Sequence, residues 1–210
     1  TESGNLDWPE EALRQAPGRS EASNAALVSN AALVSKPSPD STELWDRVCG
    51  PSRAGTRRSE GFLTWRYVDH SVFSYRIFEV RRGEKLAALA VYRVEQVRDV
   101  PVKVGRIVEF VSEEEAEGDA LGALIADARA QGCAAMDFFC SSSRLLGVMD
   151  RHGFLPGESE IAKQIPVLFQ PIDRGRSGIV VMADLRKAQS AAEAQDWYFT
   201  KADGDQDRPN

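Results

Sequence analysis

The chain has 210 residues, 42% hydrophobic and 28% charged, with 26 Lys and Arg against 32 Asp and Glu, for a net charge of −6. That length suits one domain with a core of ordinary size, or one domain plus a flexible arm. The acidic balance argues against a nucleic-acid binder, which carries a basic patch. No apolar run approaches the roughly 18 residues of a membrane helix, and no basic start, apolar stretch and small-residue cleavage site marks a secretory signal.

Three cysteines, Cys49, Cys133 and Cys140, form no Cys-x-x-Cys pair. An odd, widely spaced set predicts reduced thiols and a cytoplasmic location. The chain begins at Thr1 rather than Met, as a fragment or a processed product would.

Residues 1–40 are rich in Ser, Asn, Ala, Pro and Glu. They read as a flexible arm. Within them one hexamer occurs twice in tandem, at residues 24–29 and 30–35. Two copies are too few for a solenoid, so a short helix is the expectation there, ended by Pro37 and Pro39. Residues 41–195 read as the folded domain and 196–210 as a tail packed on it.

The domain opens with a helix over 41–48, capped by Ser41 and burying Leu44, Trp45 and Val48. Arg53, Arg57 and Arg58 form a small basic cluster that reads as a solvated loop. Residues 60–69 predict a short helix or turn with Phe62, Leu63, Trp65 and Tyr67 packed inward.

The period then changes to two. Residues 73–80, 86–94 and 102–111 predict three strands. They are joined by turns at Arg81-Arg82-Gly83-Glu84 and Arg98-Asp99-Val100-Pro101, so the order is antiparallel. An acidic loop at 112–118 leads to a helix over 119–131, stopped by Gly132. A buried strand over 133–139 follows, then a helix over 144–151 that the serines at 141–143 can cap. Two last strands are expected near 165–169 and 179–183. The fold class is α/β (α+β), a mixed, mostly antiparallel sheet flanked by helices.

Three antiparallel strands, loop, helix, strand, helix, the Gly153-Phe154 pair and two more strands resemble the acyl-CoA N-acyltransferase (GNAT) superfamily over about residues 73–184. Trp65-Arg66-Tyr67 and the ending Asp196-Trp197-Tyr198 with Asp205-Gln206-Asp207-Arg208-Pro209 resemble the C-terminal half of bacterial proteins with two such units in tandem. The resemblance implies acetyl-CoA or another acyl-CoA as cofactor and a small-molecule amine as acceptor. It implies an N-terminal half or a second copy as partner. It also implies cofactor contacts at Val111, Gly118, Ala120 and Ser142.

The family lays the cofactor pyrophosphate on a helix N-terminus, after a loop reading Arg/Gln-x-x-Gly-x-Gly/Ala. Here the stretch is Glu115-Ala116-Glu117-Gly118-Asp119-Ala120. The small positions stand, but Glu115 replaces the Arg or Gln, and Glu113, Glu114, Glu117 and Asp119 surround it. Carboxylates at close range repel a diphosphate, whereas at a helix start they stabilise the helix. The family's proton donor, a Tyr four residues before the Gly-Phe glycine, falls at Met149, which holds no proton to give. No catalytic residue is assigned.

His70 and His152 are the only histidines. His70 reads as a base for an amine or as a structural residue, His152 as a helix C-terminal charge. Asp203-x-Asp205-x-Asp207 resembles the first ligands of a calcium loop but lacks the twelfth-position Glu, so no metal is assigned; a solvated tail is the other reading. Two functions follow. One is an acyltransferase half whose chemistry sits in a partner half, recognised by a splayed gap between the strands at 102–111 and 133–139. The other is a non-catalytic binding or dimerisation module, with that gap filled and an apolar patch exposed elsewhere. A metal-dependent enzyme using the acidic loop is a third alternative.

Overall fold

A computed structural model of the chain describes residues 30–50, 55–165, 168–169, 172–173, 197–204 and 207. A five-stranded sheet has the order β1 (Ala31–Val34), β2 (Tyr75–Arg82), β3 (Lys85–Gln96), β4 (Lys103–Ser112), β5 (Cys133–Phe138). All neighbours are antiparallel except β4 and β5, which are parallel. This is the mixed, mostly antiparallel architecture that the strand periods indicate.

β1 is the second copy of the repeated hexamer. It pairs with β2 from Ala31 against Val80 to Val34 against Ile77. A strand stands where the repeat suggested a short helix in an arm. The outer edge of β2 offers N–H and C=O groups that need partners, and a four-residue Ala-Ala-Leu-Val segment supplies them. The first copy lies outside the described residues.

Helix α1 (Ser41–Val48) buries Leu44 and Trp45. Ser41 is its first helical residue rather than its cap. Ser38 takes over the work one turn earlier, its Oγ accepting from the Asp40 N–H (3.2 Å) and its carbonyl from the Ser41 N–H (3.0 Å). Helix α2 (Glu60–Leu63) is capped by Ser59 and runs straight into a π-helical turn, Thr64–Val68. That wider turn buries Tyr67 but leaves Trp65 65% exposed, against the expectation that Phe62, Leu63, Trp65 and Tyr67 all face inward.

β2 and β3 join through Gly83 at φ +61°, and β3 and β4 through Asp99 at φ +62°. A short 3-10 turn, Glu114–Ala116, then leads into α3 (Glu117–Ala130). The helix therefore starts two residues earlier than its apolar spacing suggests, and Gly118 lies inside its first turn. Gly132, at φ +78°, ends it. Helix α4 (Ser143–Arg151) follows β5. Of the two last strands, the first is short, β6 (Leu168–Phe169), paired with β7 (Ile172–Asp173). Residues 179–183 lie outside the described residues.

Alternation along β3 sorts the two faces of the sheet. Tyr92 faces α3, where its hydroxyl reaches Asp127, and Phe78 stacks beside it with ring centroids 6.3 Å apart. The next residue, Arg93, points to the opposite face and meets Asp207. That second face is covered by α1, the π-helical turn and the C-terminal segment.

Candidate functional site

β4 is longer than its partner. β5 pairs with it only from Lys103 to Ile107, so the far half of β4, through Ser112, has a bare edge on that side. Phe110 is fully buried there, and its backbone groups need partners. Tyr198 and Glu109 provide them. The Phe110 N–H is shared between the Tyr198 hydroxyl at 3.3 Å and Glu109 Oε1 at 3.2 Å. The hydroxyl lies 2.7 Å from both the Phe110 carbonyl oxygen and that same Glu109 Oε1. The single hydroxyl proton goes to one of those two acceptors at a time. Burial, then the Glu109 carboxylate, pushes the Tyr198 hydroxyl well above its ordinary value, so it stays protonated.

The flanking residues extend this closure. The Ser141 N–H donates to the Phe199 carbonyl (2.9 Å), the Phe199 N–H to Ser141 Oγ (2.9 Å), and Cys140 pairs with Thr200. Trp45 meets the Tyr198 ring edge-on at 5.0 Å. A Cβ on Gly55 would stand 2.7 Å from the Tyr198 carbonyl oxygen, so only glycine lets that loop close over the segment. The gap where the resemblance would put the pantetheine arm is thus filled by the chain's own Tyr198.

Three charged side chains of this segment reach buried partners. Asp203 receives Arg58 Nη1 at 2.9 Å and Nη2 at 2.5 Å. Arg58 also gives Nε to Glu109 at 2.5 Å and lies over the rings of Trp45, Phe62 and Tyr198. Arg58 is 1% exposed, which overturns its reading as part of a solvated basic loop; Arg57 does lie exposed, paired with Asp46. Burial alone would lower the Arg58 pKa, but Glu109 and Asp203 outweigh it and hold the guanidinium charged.

Asp207 accepts from Arg93 Nε (2.6 Å), Arg66 Nη2 (3.0 Å) and the Tyr75 hydroxyl (2.7 Å). Arg93 continues to Glu95 at 2.9 Å, Glu95 to Arg106 at 3.2 Å, and Arg106 to Asp137 at 3.2 Å. Asp137 then pairs with Lys201. The network begins and ends on the C-terminal segment. Asp203 and Asp207 are therefore held by arginines, not arranged as calcium ligands in a solvated tail. Among the described residues no group of three or more His, Cys, Asp or Glu side chains converges as a metal site.

Three carboxylates of the acidic stretch are answered from within the protein. Glu117, buried in the first turn of α3, pairs with Arg144 and lies 3.8 Å from Arg151. Asp119 pairs with Arg82 (2.8 Å), and Glu113 with Arg47 (2.8 Å) and Lys85 (2.6 Å). The sequence shows no cation within the loop; the fold brings these five from other elements. They meet the protein's own carboxylates at the place the resemblance gives to a diphosphate.

Of the residues the resemblance implies, Val111 is buried in β4 opposite Leu89. Gly118 lies beside His152, 3.8 Å from a Cβ placed on it, and Ala120 is buried on the inner side of α3. Ser142 is the α4 cap, its Oγ accepting from the Leu145 N–H at 3.4 Å. Met149 is buried. His152 Nδ1 lies 2.9 Å from the Val148 carbonyl oxygen and donates to it.

The two end motifs meet. Trp65 and Arg66 from the π-helical turn and Asp203, Gly204 and Asp207 from the tail line one cavity of about 540 Å³, with Phe62, Asp69 and His70 on its rim. His70 Nδ1 accepts from the N–H groups of Val72 (3.2 Å) and Phe73 (3.0 Å). Burial, and next the charge of Arg66, lowers its pKa. The neutral ring then carries its proton on Nε2, which makes His70, a residue of the cavity lining, a donor there rather than the base its sequence context allowed.

No model of a known protein family matches the chain, and no curated protein sequence matches it. Among solved structures it is similar to a point mutant of the Thermus thermophilus protein TTHA1254, at 13% identity over 70% of this chain and 95% of that one, TM-score 0.46. It is similar to glucosamine-6-phosphate N-acetyltransferase from Arabidopsis thaliana, at 14% identity over 62% and 95%, TM-score 0.43. It is also similar to an aminoglycoside antibiotic 6'-N-acetyltransferase from Acinetobacter haemolyticus, at 13% identity over 61% and 92%, TM-score 0.43.

Sequence reasoning missed Arg58, Glu109 and Lys201 as the residues that fix the segment. A signal was present. Arg93, Glu95, Arg106 and Glu109 interrupt strands that are otherwise apolar, and charges at inward strand positions are retained only with partners.

Proposed function

We propose that this domain is a non-catalytic binding module on an acyltransferase-like scaffold, working in a reducing cytoplasm where its three free thiols persist. The observation that carries this reading is Tyr198, whose hydroxyl takes both backbone groups of Phe110 on the β4 edge. An acyl-CoA arm laid against that edge would have to displace a fully buried side chain and the ion pairs that hold its neighbours. The residues present do not fit the cofactor: carboxylates answered by the protein's own cations occupy the helix start, and Met149 stands where a proton donor is needed. Trp65, Val68 and Val72 are exposed in and just after the π-helical turn, which supports a contact surface of the kind a binding module uses.

Calorimetric titration of the full chain with acetyl-CoA tests the reading. No saturable heat is expected up to about 1 mM, a weak-binding scale of about −4 kcal/mol. Sub-millimolar binding with loss of the Tyr198 contacts would instead support the acyl-CoA-dependent alternative, with this chain as one half of a two-unit enzyme.

A further inference from the structure

We infer that the cavity between the π-helical turn and the C-terminal segment binds a neutral, polyhydroxylated ring, a pyranose sugar. The inference rests on the reading that the domain is a binding module with Trp65 on its contact surface. Its volume of about 540 Å³ lies within the ~300–1,000 Å³ of small-molecule sites. π-Helical turns concentrate at functional positions, and this one directs an indole outward beside a polar floor. Trp65 and Phe62 form the apolar wall, ring centroids 5.9 Å apart.

Charge narrows the ligand. Arg66 is engaged by Asp207 and Tyr75, and Asp203 by Arg58. Among the described lining residues no cation remains for a phosphate or a carboxylate. Among the described residues Asp69 is the one lining charge without an ion-pair partner. Beside it, His70 presents a fixed Nε2–H, because its Nδ1 lone pair is already used by Val72 and Phe73.

A simple ammonium would satisfy Asp69 but set its own protons against that donor. A hydroxyl donates to Asp69 and accepts from His70, so neighbouring hydroxyls on one ring satisfy both residues. The ring's C–H face then covers the indole. Ser71 and Thr56, also on the lining, supply further hydroxyl contacts.

The test is an NMR titration of the isotope-labelled full chain with neutral methyl hexopyranosides of gluco, galacto and manno configuration. Tetramethylammonium and inorganic phosphate are the controls, and acetyl-CoA is a separate arm. We expect a saturable shift of the Trp65 indole N–H with at least one pyranoside. Affinity should fall at least about tenfold in Trp65→Ala and about threefold or more in Asp69→Asn, where one charged hydrogen-bond partner is lost. Because Trp65 and Asp69 are exposed, both variants should keep the wild-type spectrum elsewhere.

Three outcomes overturn the inference. One is no pyranoside binding up to about 100 mM, far beyond the ~1 mM scale of a weak specific site. Another is binding of tetramethylammonium or phosphate alone. The third is pyranoside binding unchanged by Trp65→Ala. Acetyl-CoA binding in its own arm would sink the closed-gap reading instead, whatever the sugars do.

Discussion

The two faces of the sheet are built from different materials. On the α3 face, small and medium apolar residues pack beneath one helix, with Tyr92 and Arg76 anchored on Asp127. On the opposite face, Arg93, Glu95, Arg106 and Glu109 are buried as charges and answered by Arg58, Asp137, Lys201, Asp203 and Asp207. The first face obtains its stability from area removed from water. The second obtains little from its ion pairs taken as wholes, since desolvation offsets attraction. What the charges gain is placement: an apolar surface would accept a tail in many registers, whereas paired charges admit one. The C-terminal segment is thereby set with Tyr198 against Phe110 and the tail aspartates against the cavity.

If that contrast is right, losing one partner on the ionic face costs far more than a surface change. Arg58→Leu strands Glu109 and Asp203 together, and the expected loss is about 3–5 kcal/mol of unfolding free energy. Urea denaturation measures it. A loss below about 1 kcal/mol would place Arg58 among ordinary surface ion pairs and break the comparison.

Lys201 gives a sharper, pH-resolved version. Burial pulls its ammonium down to about 8, against the attraction of Asp137. The folded value lies below the ordinary 10.5, so between these limits the unfolded chain binds the extra proton. Stability linked to Lys201 therefore rises from pH 8 to pH 10.5 and is lost as pH falls through 8, by up to ~3 kcal/mol. Taking the wild type minus Lys201→Met cancels the tyrosine and cysteine titrations common to both. That difference should climb across the window, and a flat difference would show Lys201 to be solvated.

A smaller effect is expected at Tyr198. Tyr198→Phe keeps the ring against Trp45 and removes only the hydroxyl. Leaving the Phe110 carbonyl and Glu109 without that donor costs about 1–3 kcal/mol. Equal stability of variant and wild type would mean that water or another group serves the β4 edge.

The same division explains how much could be read in the sequence. The α3 face was legible because period-two strands, the turn at Gly83 and the stop at Gly132 are local signals, fixed within a few residues. The ionic face was not. Arg58 finds Asp203 across 145 positions, and Arg93 finds Asp207 across 114. No local pattern separates Arg58 from its exposed neighbour Arg57. The repeat forms β1 rather than the expected helix for a related reason, since Ala-Ala-Leu-Val suits either a helix or an edge strand and the free edge of β2 decides. At the site, Met149 and Glu115 were legible as departures from an acyl-CoA pattern. The filling of the gap was not, because Tyr198 lies 88 positions from Phe110.

The closed gap is tested most directly by hydrogen exchange at the Phe110 amide. Its acceptors are the Tyr198 hydroxyl and the Glu109 carboxylate that this hydroxyl holds in place. Removing the hydroxyl deletes one acceptor, leaves Glu109 held on the Arg58 side alone, and lets water reach the edge. Slow exchange in the wild type, comparable to the paired amides of β4, and much faster exchange in Tyr198→Phe are the predicted results. Fast exchange of Phe110 in the wild type would mean that the edge is open and would contradict the account.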